Sequence, residues 1–183
     1  MLMSVLRADL KRQFNLADTP ARQATTLGVL SRLLHPRFLP LVICRLARAS
    51  YLAGVPLLPQ FLTYANIVLF GVEVTPRCEI GPGLFFPHTS GTVVGAWRIG
   101  KNATIYQNVT LGSKTLDMGF ETSRRPELGD DVILGAGAKV LGGIKIGDQA
   151  TVGANSVVLD SVEPHATVVG IPARAVGIRQ ERA

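Results

Sequence analysis

Three histidines, His35, His88 and His165, are the side chains of this 183-residue chain best suited to move protons near neutral pH. An unperturbed imidazole titrates near pH ~6.5 and can accept a proton there. His35 precedes Pro36 in an apolar stretch of helical pattern, and His165 follows Glu163-Pro164, so both read as structural or turn residues. His88 stands apart, in Phe86-Pro87-His88-Thr89-Ser90-Gly91, beside a break in an otherwise regular pattern. Only one of the three histidines lies inside the regular region, too few for a histidine-rich metal centre, so no metal is expected. Cys44 and Cys78 form no CxxC and read as free thiols in a reducing compartment. Arg124-Arg125 closes a polar segment and reads either as a solvated charge pair or as an anion contact.

The pattern around His88 counts in sixes. Ile99-Gly100, Leu111-Gly112, Leu128-Gly129, Leu134-Gly135, Ile146-Gly147 and Val152-Gly153 each pair an aliphatic residue with glycine. Four places after each aliphatic position stands a small or β-branched residue: Ala103, Val109, Val132, Ala138, Ile144, Ala150, Ser156. A period of six suits neither an alternating strand nor a helical face, and marks a coiled parallel β-structure with one strand and one turn per hexad. The inward positions fall in three frames: Val74, Ile80, Phe86; then Val93, Ile99, Ile105, Leu111; then Leu128, Leu134, Val140, Ile146, Val152, Val158. These thirteen hexads make about four triangular coils. One extra residue near Gly91–Thr92 separates the first two frames, and a polar excursion at about 113–127 separates the last two. Such excursions often line a binding face.

Residues 1–70 lack the six-residue rhythm. Ser4–Phe14, Leu27–Leu34, Phe38–Tyr51 and Gln60–Phe70 are predicted as helices, giving an α-helical segment at 1–70, a β-helix at 71–165 and a tail at 166–183. The net charge of +6 belongs wholly to the first fifty residues, where eight Lys/Arg face only Asp9 and Asp18. Such a basic segment can lie against an anionic membrane surface, or it can be a solvated face. Ala49 to Val72 carries no charge, but Pro56, Pro59 and several polar residues argue against a membrane span. There is no cleavable signal pattern, and a cytoplasmic location is expected, with peripheral contact at the inner membrane face through residues 1–50.

Several motifs resemble the serine acetyltransferase branch of the hexapeptide-repeat acyltransferases. They are Gly71-Val72-Glu73-Val74-Thr75-Pro76, Ile80-Gly81-Pro82-Gly83, His88 with Gly91, Val109-Thr110-Leu111-Gly112, Gly135 through Gly142, Gly153-Ala154-Asn155-Ser156-Val157-Val158 and Val169 through Arg174. The resemblance implies a left-handed parallel β-helix, a homotrimer and acetyl-CoA as cosubstrate. It implies His88 as the general base on an acceptor hydroxyl, with Glu73 holding the imidazole. It places coenzyme contacts at Gly112, Ala136 and Ala154, with Arg174 near the phosphates. No nucleic-acid partner is expected.

The chain departs from that branch at three points. Glu73 replaces an aspartate; Pro87 replaces an aspartate before the histidine that helps hold the amino acid; and Arg124-Arg125 replaces an Arg-His pair that meets the serine carboxylate. A desolvated ammonium without its partner costs several kcal/mol, roughly. The expected acceptor is therefore a saccharide hydroxyl, exopolysaccharide or lipid-linked, with Arg124 and Arg125 on a phosphate or acidic sugar. Serine is the alternative acceptor, and a catalytically silent assembly protein the alternative class.

Overall fold

A computed structural model describes residues 2–16, 26–33 and 35–178. Asp18, Arg22, Leu34 and the tail from 179 onward lie outside the described residues. Among the described residues, four α-helices, α1 (Leu2–Leu16), α2 (Thr26–Arg32), α3 (Leu39–Leu52) and α4 (Leu58–Phe70), precede fourteen strands. The strands wind as a left-handed parallel β-helix with three faces. Face A stacks β1 (Val72–Val74), β3 (Thr92–Val94), β6 (Thr110–Gly112), β9 (Lys139–Leu141) and β12 (Val157–Val158). Face B stacks β2 (Glu79–Ile80), β4 (Arg98–Ile99), β7 (Glu127–Leu128) and β10 (Lys145–Ile146), and Val162 extends it by bridging to Ile146. Face C stacks β5 (Thr104–Ile105), β8 (Ile133–Leu134), β11 (Thr151–Val152), β13 (Ala166–Gly170) and β14 (Ala173–Ile178).

The hexads produce this because each aliphatic position lands on the one below it. Val74, Val94, Leu111, Val140 and Val158 form one inward column, and Ile80, Ile99, Leu128, Ile146 and Val162 a second. Ile105, Leu134, Val152 and Val168 continue below Phe86 as the third. Burying each such side chain contributes roughly 1.5–3 kcal/mol, so the stack, not any single coil, holds the fold. The small positions Ala103, Val109, Val132, Ala138, Ala150 and Ser156 are likewise buried, at the corners.

Three expectations need correction. Val93 faces outward and Val94 inward, because the frame break is larger than the net count shows. Eight steps separate Phe85 from Val93, against six between their partners Thr104 and Thr110, so the corner carrying His88 holds two extra residues. The next corner is one residue short: five steps from Val94 to Ile99, against six from Val74 to Ile80. The column count is five coils rather than four, because Val162 and Val168 continue the inward stack past Val158. The stretch 166–178, expected as the start of a tail, is instead a strand of face C and its antiparallel partner.

The helices close the first coil. Leu41 and Cys44 of α3 join the β-helix core, while Leu6, Leu10, Phe14, Val29, Phe38 and Val42 form a separate small core among α1, α2 and α3. Asp9 of α1 and Arg45 of α3 meet beneath this layer, and Arg45 also donates to the carbonyls of Ile80 and Gly81. Burial pushes the Asp9 carboxyl up from its usual range, against the pull of Arg45 and the N–H groups of Gly83 and Leu84. Arg48 donates to the carbonyls of Pro76 and Arg77. Part of the N-terminal basic excess thus faces the β-helix. No helix among the described residues is long and apolar enough to cross a membrane.

Candidate active site

The two-residue expansion of the corner between faces C and A is what presents His88. The widened loop is tied back at its end. Thr89 Oγ1 donates to the Phe70 carbonyl at 2.8 Å, Gly91 N–H to Gly71 at 2.9 Å, and Asn108 N–H to Ser90 at 2.9 Å. Phe86 anchors the loop inside the core while His88 is exposed. The corner therefore holds its backbone firmly and leaves the imidazole free to meet a ligand. His88 lines a cavity of about 550 Å³ with Pro36, Arg37, Leu69, Phe70 and Pro87. Arg37 is a residue that sequence reasoning missed, since nothing local marks a side chain from the helical region as a neighbour of His88. No carboxylate lines this cavity among the described residues.

Glu73 lies at the centre of β1 on the outward side of face A, paired in register with Val93. It shares the first coil with His88, but neither a hydrogen bond nor an ion pair joins them. His35 sits in a turn where its Nδ1 accepts from the Arg37 N–H. His165 takes the positive-φ position of the last corner, where its N–H donates to the Asp148 carbonyl. Both serve as turn residues.

The residues expected to hold coenzyme divide between the two edges of face A. Ala136 and Ala154 stack at the corner entering the face, where the Asn155 N–H donates to the Ala136 carbonyl at 2.8 Å. Gly112 ends β6 at the opposite edge, and a Cβ there would meet nothing within 4 Å. Packing does not require that glycine; its bare backbone borders open space, which suits close approach by a chain such as pantetheine. Arg174, on β14, is exposed and bonds the carbonyl of its own neighbour Ala173.

The excursion from Ser113 to Pro126 leaves face A directly after Gly112. Arg124 pairs with Glu121 on the surface. Arg125 is held instead: its Nε donates to Asp117 Oδ2 at 2.8 Å, its Nη1 to the Gly95 carbonyl at 2.9 Å and its Nη2 to the Asp117 carbonyl at 3.0 Å. Two adjacent arginines, alike in sequence, thus have different freedom. In a single protomer this loop and the His88 corner occupy opposite edges of face A.

Comparison with known proteins agrees with this architecture. Residues 125–160 match the family described as bacterial transferase hexapeptide (six repeats). The serine acetyltransferase of Synechococcus elongatus is 40% identical over 176 residues, spanning 96% of this chain and 69% of that protein. The crystal structure of Neisseria gonorrhoeae serine acetyltransferase superposes with a TM-score of 0.83 at 34% identity, over 99% of this chain and 68% of that one. A serine acetyltransferase in complex with CoA gives 0.79 at 32% identity, over 96% and 69%.

Proposed function

This chain belongs to the serine acetyltransferase family of hexapeptide-repeat transferases, and we propose that it acetylates the hydroxyl of serine or a close analogue. Membership makes it an acetyl-CoA-dependent O-acetyltransferase. The observation that carries the acceptor is the alignment with a serine acetyltransferase along 96% of the chain, helices included. The saccharide acceptor expected from Pro87 gains no such support.

In the proposed reaction, His88 takes the acceptor hydroxyl proton as that oxygen attacks the thioester carbonyl. The new C–O bond forms, the C–S bond breaks, and the proton passes from His88 to the departing CoA sulfur. Exposure of His88 at a cavity mouth supports this role. Glu73, on the outward side of β1 in the same coil, is the carboxylate assigned to orient the imidazole. Gly112, Ala136 and Ala154 line the coenzyme path, and Arg174 meets its phosphates. Arg124 offers the acceptor carboxylate a guanidinium, because an exposed pair such as Arg124–Glu121 contributes only about 0–1 kcal/mol and exchanges readily.

We assign the site to a homotrimer. The division of the coenzyme and acceptor residues between the two edges of face A supports a site shared by neighbouring copies. So does the exposed apolar stripe of Phe61, Tyr64 and Val68 along α4, with Leu57 just before it. Peripheral membrane contact through residues 1–50 is tested by flotation with anionic liposomes. A bound fraction that survives their deletion overturns it.

One observation favours a second acceptor. The cavity at His88 contains Arg37 and no acid, so an ammonium finds no partner there among the described residues, whereas a neutral sugar needs none. The deciding experiment measures CoA release by the full chain with L-serine, nucleotide sugars and oligosaccharides. Turnover with serine sustains the proposal, and turnover with sugars alone replaces it by the second reading. Neither CoA release nor CoA binding would make the chain a silent assembly protein.

A further inference from the structure

We infer that Arg125 acts through the excursion loop and not on the acceptor: it is a positioning residue that sets loop 113–126 as a fixed wall and leaves Arg124 as that loop's free guanidinium. The inference rests on the acetyl-transfer reading above and deepens it.

The loop is fastened along the whole edge between faces A and B. Arg125 reaches back to Gly95 in the second coil and closes on Asp117 within the loop. Its guanidinium lies over the Phe120 ring, 4.1 Å from the centroid, and Arg77 of the first coil approaches the same ring at 5.7 Å. Arg77 also donates to the Gly119 carbonyl at 3.0 Å. In the other direction, Lys114 Nζ donates to the Leu159 carbonyl at 2.7 Å, beyond β12. Gly143 lies directly beneath the loop: a Cβ there would come within 1.8 Å of the Ser123 carbonyl oxygen. A loop with these attachments is built to stay in place.

Phe120 adds an independent sign. It holds φ +58°, a left-handed conformation that costs a non-glycine residue roughly 1–2 kcal/mol. Such a conformation persists where surroundings impose it, and at this residue the ring meets the Arg125 and Arg77 guanidiniums. The ring thereby completes a stacked assembly, Arg77–Phe120–Arg125, which fixes the direction of the two residues before Pro126. Arg125 spends three donors and its planar face on this assembly. Arg124, one residue earlier, has only an exposed carboxylate to give up.

The test uses the full chain with acetyl-CoA and L-serine. Arg125→Ala should raise the acceptor KM about tenfold or more, with the acetyl-CoA KM within about twofold. Amide protection of residues 113–126 should fall in the same variant. Arg125→Lys should not restore either property, because an ammonium cannot bond Asp117 and Gly95 while stacking on the ring. Asp117→Ala should reproduce the phenotype, and the double variant should be no worse than either single one. Unchanged loop protection in Arg125→Ala overturns the inference, as does full recovery by lysine, which would mark a simple charge contact with the acceptor. If no variant and no parent turns over serine, the protection measurement still decides the positioning role, and only the acceptor reading fails.

Discussion

Asp9 of α1 and Arg45 of α3 form a buried, two-pronged ion pair, with both hydrogen bonds at 3.0 Å, between helices and the first coil. The remaining lone pair and donors are also used: Asp9 Oδ1 accepts from the N–H groups of Gly83 and Leu84, and Arg45 donates to two carbonyls. This pair is how the helical segment grips the open end of the β-helix, whose terminal coil would otherwise expose backbone and core. Removing one partner of such a pair strands the other charge, at a cost of about 3–5 kcal/mol. Asp9→Ala should therefore lower the free energy of unfolding measured by urea titration by that amount. A loss below about 1 kcal/mol would show that the pair contributes no more than a surface contact.

The catalytic proposal predicts a separation between chemistry and folding. His88 is exposed on a corner whose fastening runs through the backbone and Thr89, so His88→Ala should leave the thermal melt unchanged. The acetyl-transfer rate should fall about 10²–10⁴-fold, the usual contribution of a general base. Glu73→Gln should reduce the rate less, since it alters only the residue assigned to orient the imidazole and leaves the proton acceptor in place. Near-normal turnover by His88→Ala would remove that residue from the mechanism.

Much of this architecture is legible in the sequence, and what is not legible has physical reasons. A column of stacked residues is a local, repeated requirement, so the frame 128–158 reads directly from sequence and is buried as expected. Val93 reads as inward in the sequence but faces outward, because corners can lengthen and shorten by compensating amounts. Two residues gained at His88 and one lost before Ile99 look like a single insertion. The Asp9–Arg45 pair joins positions 36 apart, and nothing in either helix announces the other. Arg124 and Arg125 look equivalent in sequence, and only the position of Phe120 and Asp117 separates them.

The two cysteines offer a direct check on the helix–coil junction. Cys44 and Cys78 are both free and buried, and burial pushes each thiol up to about 12 despite nearby arginines. The thiolate is the reactive form, so neither should react with iodoacetamide in the folded protein at pH 8. Both should label once urea passes the unfolding midpoint. Rapid labelling of the native protein at one equivalent or more would mean that the junction opens readily.

The Arg125 clasp carries its own pH signature. Burial works to raise the Asp117 carboxyl, but the Glu121 N–H and the Arg125 guanidinium outweigh it and hold it below the usual carboxylate range. A group with a depressed folded value contributes its stability above the unfolded value and loses it as pH falls through the folded one. The loop should thus remain fastened at pH 4, where a free aspartate is already taking up protons. Trp97, the chain's one tryptophan, stands at the foot of the loop, where its backbone N–H donates to the Pro126 carbonyl, and so reports on this. Its emission should hold steady from pH 7 to pH 4 and change only below. A transition centred between pH 4 and 5 would show that the clasp does not stabilise the ionised carboxylate.

Gly112 tests the coenzyme path with little risk to the fold. Glycines such as Gly143 admit no side chain, because backbone of the loop or the next coil fills the space, but a Cβ at Gly112 would meet open surface. Gly112→Val should therefore retain the melting temperature within a few degrees, since a β-branched residue suits the end of a strand. If pantetheine passes over that backbone, the same side chain should raise the acetyl-CoA KM, or abolish CoA binding measured by calorimetry. Ala154→Leu, on the opposite edge of face A, should act in the same direction. Unaltered CoA affinity in both variants would move the coenzyme off this face altogether.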